Sequence, residues 1–155
     1  MRSAVVLDQI RSAYNVGSFF RTADAAGVER LYLCGITPRP DNPQVAKTAL
    51  GAHLTLPWEW HYDTLVVLRV LSARGYQLAA VETGEESATL FDFQPRWPVA
   101  VVFGNEITGL APEILDACPV RIRIPMMGMK SSLNVATAGG VVLYELLRKS
   151  LRDSA

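Results

Sequence analysis

Five successive residues, Val99-Ala100-Val101-Val102-Phe103, are all apolar, and so are the four from Ala4 to Leu7. A strand with one face in water would alternate apolar and polar side chains. An unbroken run marks a strand buried on both faces, as in a mostly parallel sheet with helices covering each side. Leu31 to Ile36, Tyr76 to Val81 and Arg121 to Ile124 read as further strands. Helical patterns lie between them: Asn15 to Ala26 closed by Gly27, and Gln44 to Leu50 closed by Gly51. A third helix is capped by Asp63 or Thr64, runs through Ala73 and stops at Gly75. A short one from Pro112 to Ala117 has its proline in the first turn. The last runs from Leu133 to Leu147 or beyond and ends in Arg148, Lys149 and Arg152, a basic end suited to a helix C-terminus. Asp8 to Tyr14 and the stretch holding Pro38, Pro40 and Pro43 read as loops. The expected fold is α/β, one domain over residues 1–155, with a mostly parallel sheet between two helical layers.

Composition narrows the function. Hydrophobic residues make up 50% of the chain and charged ones 19%, enough apolar material for a core. Fifteen basic residues balance fifteen acidic ones, which excludes a protein that grips nucleic acid by bulk charge but not a locally basic site. Cys34 and Cys118 lie far apart without metal-ligand spacing, so neither a disulfide scaffold nor a metal centre is expected. The N-terminus lacks a signal peptide's long apolar core, and no run nears the about 18 apolar residues of a membrane span. A cytoplasmic protein without membrane contact is the expectation.

In open α/β sheets ligands bind beyond the carboxyl ends of the strands. Three late strands end there in polar, glycine-bearing loops: Glu82-Thr83-Gly84, Gly104-Asn105-Glu106 and Pro125 to Ser132. Neither GxGxxG nor GxxxxGK[ST] occurs, so dinucleotide and P-loop sites have no support. At the first helix, Asn15 reads either as an N-cap or as a site residue. Arg21, set between Phe20 and Thr22-Ala23 in an otherwise apolar helix, is a charge that should be paired or employed. His53 and His61 fall outside these segments and read as structural or surface residues.

Three ordered motifs carry a family resemblance. Asn15-x-Gly17-Ser18-x-x-Arg21-Thr22-Ala23 comes first, then Val102-Phe103-Gly104-Asn105-Glu106-x-x-Gly109-Leu110. Ile124-Pro125-Met126 followed by Ser131-Ser132-Leu133-Asn134-Val135-Ala136 completes the set. Together, over about Val5 to Leu147, the chain resembles the SpoU/TrmH family of RNA 2′-O-ribose methyltransferases in the SPOUT superfamily. The resemblance implies a C-terminal deep trefoil knot, which nothing in the periodicity shows. It also implies a homodimer in which each site is completed by the partner's first-motif residues. The cofactor it implies is S-adenosylmethionine, held by Val81, Thr83, Gly84, Gly104, Ile124, Met126, Ser132 and Leu133. Met127 and Met129 would be flexible apolar walls beside Met126. Catalysis would fall to Asn15, Arg21, Glu106, Ser132 and Asn134, with no metal. Because guanidinium holds its proton to a pKa above about 12, Arg21 reads better as a fork on a phosphate and the developing alkoxide than as a base. Glu106 would anchor its loop or position substrate.

A chain that begins at its first strand and ends after its last helix resembles the bare catalytic core of small tRNA-directed members, so tRNA is favoured over rRNA. Arg11, Arg21, Arg39 and Lys47 are the candidate RNA contacts. The rival reading is a non-catalytic RNA- or nucleotide-binding module on the same fold; the intact set from Asn15 to Asn134 argues against it.

Overall fold

The computed structural model describes all 155 residues. Along the chain run β1 (Ser3–Asp8), α1 (Ala13–Ala26), β2 (Arg30–Cys34), α2 (Pro43–Ala49), α3 (Ala52–Thr55) and β3 (Trp58–His61). They are followed by α4 (Thr64–Ala73), β4 (Gln77–Val81), β5 (Ala88–Thr89), β6 (Val99–Phe103), α5 (Pro112–Ala117), β7 (Val120–Arg123) and α6 (Val135–Asp153). All strand pairs are parallel, in the order β3-β2-β1-β6-β4-β7-β5. The two unbroken apolar runs, β1 and β6, pair with each other at the centre and are buried at every position. Their side chains alternate between two cores. Val5, Leu7, Val101 and Phe103 point into the core that holds Phe19 of α1 and Leu143 of α6. Ala4, Val6, Ala100 and Val102 meet Leu68 and Leu71 of α4 and Ile114 of α5 on the other face. The fold class expected from the runs is the one observed.

Several boundaries differ from the sequence reading. β2 stops at Cys34 and not at Ile36, because Gly35 turns the backbone to φ 66°. α1 starts at Ala13: the Ser12 hydroxyl accepts from the Asn15 N–H at 3.1 Å, so Ser12 is the cap and Asn15 lies inside the helix. Likewise Asn134, not Leu133, opens α6, its side-chain oxygen accepting from the N–H groups of Ala136 (2.9 Å) and Thr137 (3.2 Å). Asp63 caps α4 as expected, and Pro112 takes the first turn of α5. The short elements α3, β3 and β5 had no sequence signal strong enough to separate them from loop.

Two further features shape the C-terminal half. Ala88 of β5 and Val81 of β4 both pair with Ile122 of β7, from opposite sides. The connection 82–87 therefore crosses from one flank of β7 to the other, a crossing that suits a threaded C-terminal segment. The basic end of α6 is not uniform. Arg148 pairs with Glu145 at 2.7 Å, but Lys149 is only 5% exposed. Its ammonium donates to the carbonyls of Leu90 (2.7 Å), Phe91 (3.2 Å) and Phe93, stapling α6 to the segment after β5. Its task is this buried staple and not the helix dipole. None of the helices is long and apolar enough to cross a membrane.

α1 packs between α2 and α6 through glycines on two elements. A Cβ at Gly17 would strike the Thr48 hydroxyl and stand 2.5 Å from the Val45 carbonyl oxygen. At Gly139 a Cβ would strike the Phe19 ring, 2.7 Å from Cζ. Phe19 is fully buried and tilted against Phe103 at 5.0 Å, so it has no room to yield. Gly139→Ala is expected to destabilise the protein by about 1–3 kcal/mol through overpacking, read as a lower urea midpoint at unchanged slope; an unaltered midpoint would show that α6 can shift freely on α1.

Candidate active site

Beyond the carboxyl ends of β4, β6 and β7 lies a cavity of about 370 Å³, within the range that takes a small molecule. Val81, Thr83, Gly104 and Glu106 line one part of it. Ile124, Met126, Ser132, Leu133 and Asn134 line the rest. Nine residues from the three late loops, expected as a group, thus face one space. Gly84, expected with them, is exposed and does not line it. Met127 and Met129 are 93% and 103% exposed, so they are neither walls nor core.

The loop after β6 is built by its own side chains. Asn105 accepts through Oδ1 from the N–H groups of Ile107 (2.9 Å) and Thr108 (3.0 Å), and donates from Nδ2 to the Gln9 carbonyl (2.8 Å). This folds the loop back until Gly104 lies against Gly109 and Leu110. A Cβ at Gly104 would stand 2.7 Å from backbone atoms of both. The glycine is demanded first by the loop's own return, and not only by a ligand. Glu82 closes the turn from the β4 side, accepting from the Leu110 N–H at 3.3 Å. Glu82 and Asn105 both line the cavity and were not among the expected site residues. An Asn directly after a strand-ending Gly was the available signal for Asn105.

Glu106 joins this loop to the first motif. Its two carboxylate oxygens accept from the backbone N–H groups of Arg11 and Ser12, each at 3.1 Å, at the free N-terminal end of α1. Burial alone would raise its pKa. The backbone donors at Arg11, Glu106 and Ser12 and the Asn15 side chain outweigh that and hold it below the usual carboxylate range. Glu106 is therefore an ionised anchor, poorly suited to take a proton. Asn15 is 6% exposed, and its Oδ1 accepts from Nδ2 of Asn134 at 3.3 Å. Three motifs far apart in sequence meet through Glu106, Asn15 and Asn134.

From Ile124 to Leu133 the chain makes no internal hydrogen bond with backbone or side chain. Its amide and carbonyl groups at the rim are free to meet the edge of a base, between the apolar sides of Ile124, Met126 and Leu133. The hydroxyl of Ser132 is equally free.

Arg21 is not part of this cavity. It lies six residues beyond Asn15, about 120° away around the helix, and opens on a separate groove with Lys47, Thr48 and Tyr144. It forms no ion pair, so its charge is exposed and not matched within the chain. Of the other expected RNA contacts, Arg11 sits at the anchored start of α1, and Arg39 lies over the Trp60 ring at 4.4 Å in another groove. The four do not form one patch. His61 bonds Glu59 at 3.0 Å and His53 lies edge-on to Phe20; neither reaches the cavity. Burial pushes the Cys34 thiol up to about 12 and Cys118 to about 11, so neither is a nucleophile.

A family model described as the SpoU rRNA Methylase family matches residues 2–144. This chain belongs to that family. A tRNA (guanosine(18)-2′-O)-methyltransferase of Thermus thermophilus is 32% identical over 148 residues, covering 96% of this chain and 75% of that protein. The structure of the SpoU methyltransferase AviRb from Streptomyces viridochromogenes in complex with AdoMet superposes with a TM-score of 0.87 at 30% identity, over 96% of this chain and 57% of that one. A structure described as giving insight into 2-OH methylation of C/U34 on tRNA matches with a TM-score of 0.87 at 29% identity, over 97% of both chains. The chain spans between 54% and 75% of the length of the first curated relatives it matches.

The Glu106 anchor has a pH signature. Because its folded-state pKa is lowered, unfolding takes up a proton between the lowered and the ordinary value, and stability rises with pH across that window. The contribution is complete above the ordinary carboxylate pKa of about 4.3 and fades as pH falls through the lowered one. Urea midpoints of wild type and Glu106→Gln from about pH 3 to about pH 7 are expected to differ by a constant gap near neutrality and to converge in acid. A gap independent of pH would remove the carboxylate from this role.

Proposed function

We propose that this SpoU-family chain, residues 1–155, is one S-adenosylmethionine-dependent domain that methylates a ribose 2′-hydroxyl of RNA, tRNA before rRNA, as a homodimer in the cytoplasm. The observation that carries the reading is that the second and third motifs line one cavity of suitable size, and that Asn15 of the first is bonded to Asn134 at its edge. The donor set fits the cofactor. Free backbone groups at Ile124 to Met126 lie between apolar side chains as an adenine needs, and polar side chains of Thr83, Asn105 and Ser132 face the same space. When bound, the cofactor supplies an electrophilic methyl group. The protein's own part is positional: bringing a hydroxyl into line with that methyl accounts for much of the acceleration such sites achieve. Ser132 and Asn134 would orient the ribose, and Asn15, locked by Asn134, would keep the α1 entrance in register with it.

Arg21 enters from a second copy. In one chain it faces away from the cavity, on a groove flanked by the exposed side chains of Tyr14 (59%), Leu50 (66%) and Tyr144 (49%). Apolar exposure of this kind around an unpaired cation supports an interface that places the guanidinium over the partner's cavity. There it would hold a phosphate by its planar fork and stabilise the alkoxide as the 2′-proton leaves to phosphate or water. The tRNA preference rests on the Thermus relative's substrate and on the tRNA described for the structure matched over 97% of both chains. A non-catalytic binding module would bind RNA or nucleotide without transferring a methyl group, so the transfer measurement below separates the two readings.

Isothermal titration with S-adenosylmethionine is expected to show one site per chain, and tritiated methyl transfer to reach total tRNA ahead of rRNA. Arg21→Ala is expected to keep cofactor binding and lose transfer about 100-fold or more. Mixed with a variant whose own cavity is closed, such as Gly104→Leu, it should regain about one quarter of wild-type activity, the share of sites with one intact half from each copy in a randomly mixed symmetric dimer. Absence of cofactor heat would sink the enzymatic reading; absence of rescue would sink the shared site alone.

A further inference from the structure

The carboxyl edge of the sheet carries a second cavity, of about 580 Å³, beyond β1, β2 and β3. It is walled by Asp8, Gln9, Ile36, Trp60 and Tyr62, none of which the methyl-transfer cavity uses. We infer that it is a nucleobase subsite, which stacks the base next to the target nucleotide on Trp60 and Tyr62 and reads that base's exocyclic amino group with Asp8. The inference rests on the RNA-directed reading above.

Four observations carry it. First, the two cavities are neighbours: the Gln9 carbonyl accepts from Asn105 of the first, while the Gln9 side chain lines the second and accepts from the Ile36 N–H at 3.1 Å. Gln9 has φ 56°, a conformation disfavoured for a residue with a side chain, and it is held by these two bonds and by its own N–H, which donates to the Cys34 carbonyl at 3.2 Å. Second, the wall is a stacking platform. Trp60 is fixed by its indole N–H, which donates to the Gly35 carbonyl at 3.0 Å, and Arg39 lies over its ring at 4.4 Å. Ile36 and Tyr62 are 62% and 82% exposed, large apolar surfaces with nothing on them. Aromatic faces with a stacked guanidinium are the recurrent means of holding an unpaired base.

Third, Asp8 is 5% exposed at the floor, and only its Oδ1 is engaged, by the Thr64 hydroxyl at 2.5 Å. Its Oδ2 has no donor within the chain. Burial above all, and Glu113 in addition, disfavour its charge, against the Thr64 bond that favours it. A donor arriving from a ligand would relieve that cost. Fourth, the acidic groups facing the space are Asp8, Asp63 and Glu113, and Arg39 stands in the adjoining groove. That balance repels a phosphate from the floor while leaving a cation at the rim for the backbone. It suits the exocyclic amino group of cytosine, guanine or adenine and disfavours uracil, which has no amino group and whose N3–H donor is flanked by two carbonyl oxygens that a carboxylate repels.

Two measurements test the inference. Methyl transfer to total cellular RNA is compared for wild type, Trp60→Ala, Trp60→Phe and Tyr62→Ala, with S-adenosylmethionine affinity and Tm measured alongside. Trp60→Ala should raise KM for RNA about 10-fold with kcat and cofactor affinity retained, and Trp60→Phe, which keeps a ring but not the Gly35 bond, should restore most of it. If Trp60→Ala lowers Tm, the exposed Tyr62→Ala gives the same KM shift without loss of packing. In the second measurement, fluorescein-labelled oligocytidine should bind more tightly than oligouridine of equal length by about fivefold, and Asp8→Asn should remove the difference. Wild-type transfer with unchanged KM in both aromatic variants overturns the stacking platform, and equal affinity for the two oligomers overturns the role of Asp8. If wild type transfers no methyl and binds no S-adenosylmethionine, the functional reading itself has failed.

Discussion

The site depends on one charge-assisted contact, the Glu106 carboxylate across the backbone N–H groups of Arg11 and Ser12 at the entrance to α1. A helix N-terminus leaves donors without partners and carries a partial positive charge, so a carboxylate there satisfies both needs together. The consequence is geometric. β6 and β1 are locked side by side in the sheet, but nothing in a sheet dictates where the helix after β1 begins. Glu106 sets that point against the loop after β6, and Asn15, one turn in, is thereby delivered to Asn134. Asn134 in turn caps α6. A cavity made by three loops needs a common reference, and α1 provides it.

That role goes with close helix packing on both sides of α1, through a glycine on α1 and another on α6. Gly17 lets α2 come within reach of its backbone, and Gly139 lets α6 settle on Phe19. The helix is held closely from both sides, so a displacement of α6 would carry Asn134 and the 124–133 segment with it. The same helix turns Arg21 to the opposite quarter, onto a groove with exposed tyrosines. One rigid rod thus steadies its own cavity by holding Asn134 with Asn15 and, on the proposed reading, serves a second copy's cavity with Arg21. A rigid carrier suits both tasks, since catalytic positioning tolerates little looseness at either end.

The central fold was legible because its signal is local: a strand buried on both faces must be apolar throughout, and β1 and β6 are. The cavity residues were legible because glycine and polar loops at the carboxyl edge announce close backbone approaches. What the sequence did not disclose depends on partners distant in the chain. Ser12 took the cap for which Asn15 was an equal candidate, since both types serve there and only the tertiary contacts to Asn134 and Glu106 claim Asn15 for another task. Lys149 looked like an ordinary basic helix end, and only the fold shows three carbonyls waiting 56 to 59 residues earlier in the chain. The edge strands β3 and β5 are half-buried or just two residues long, so they carry no unbroken run to read.

Neutral charge was a weak argument against RNA, and the structure shows why. Bulk charge sets encounter, but recognition is decided where groups are desolvated or left without partners. Arg148 is matched by Glu145, Arg30 by Glu59, and Lys149 is buried against carbonyls. These cations count in the total, but two are already matched by a carboxylate and the third is out of reach of a ligand. Arg21 has no partner and shares its groove with Lys47, which is a stronger reason to expect an anionic ligand there than an excess of paired charges would be. Asp8 makes the converse case: a buried acid with an oxygen left without a donor weighs against RNA in a charge count, yet beside Trp60, on the inferred reading, that oxygen is what favours an amino-bearing base over uracil.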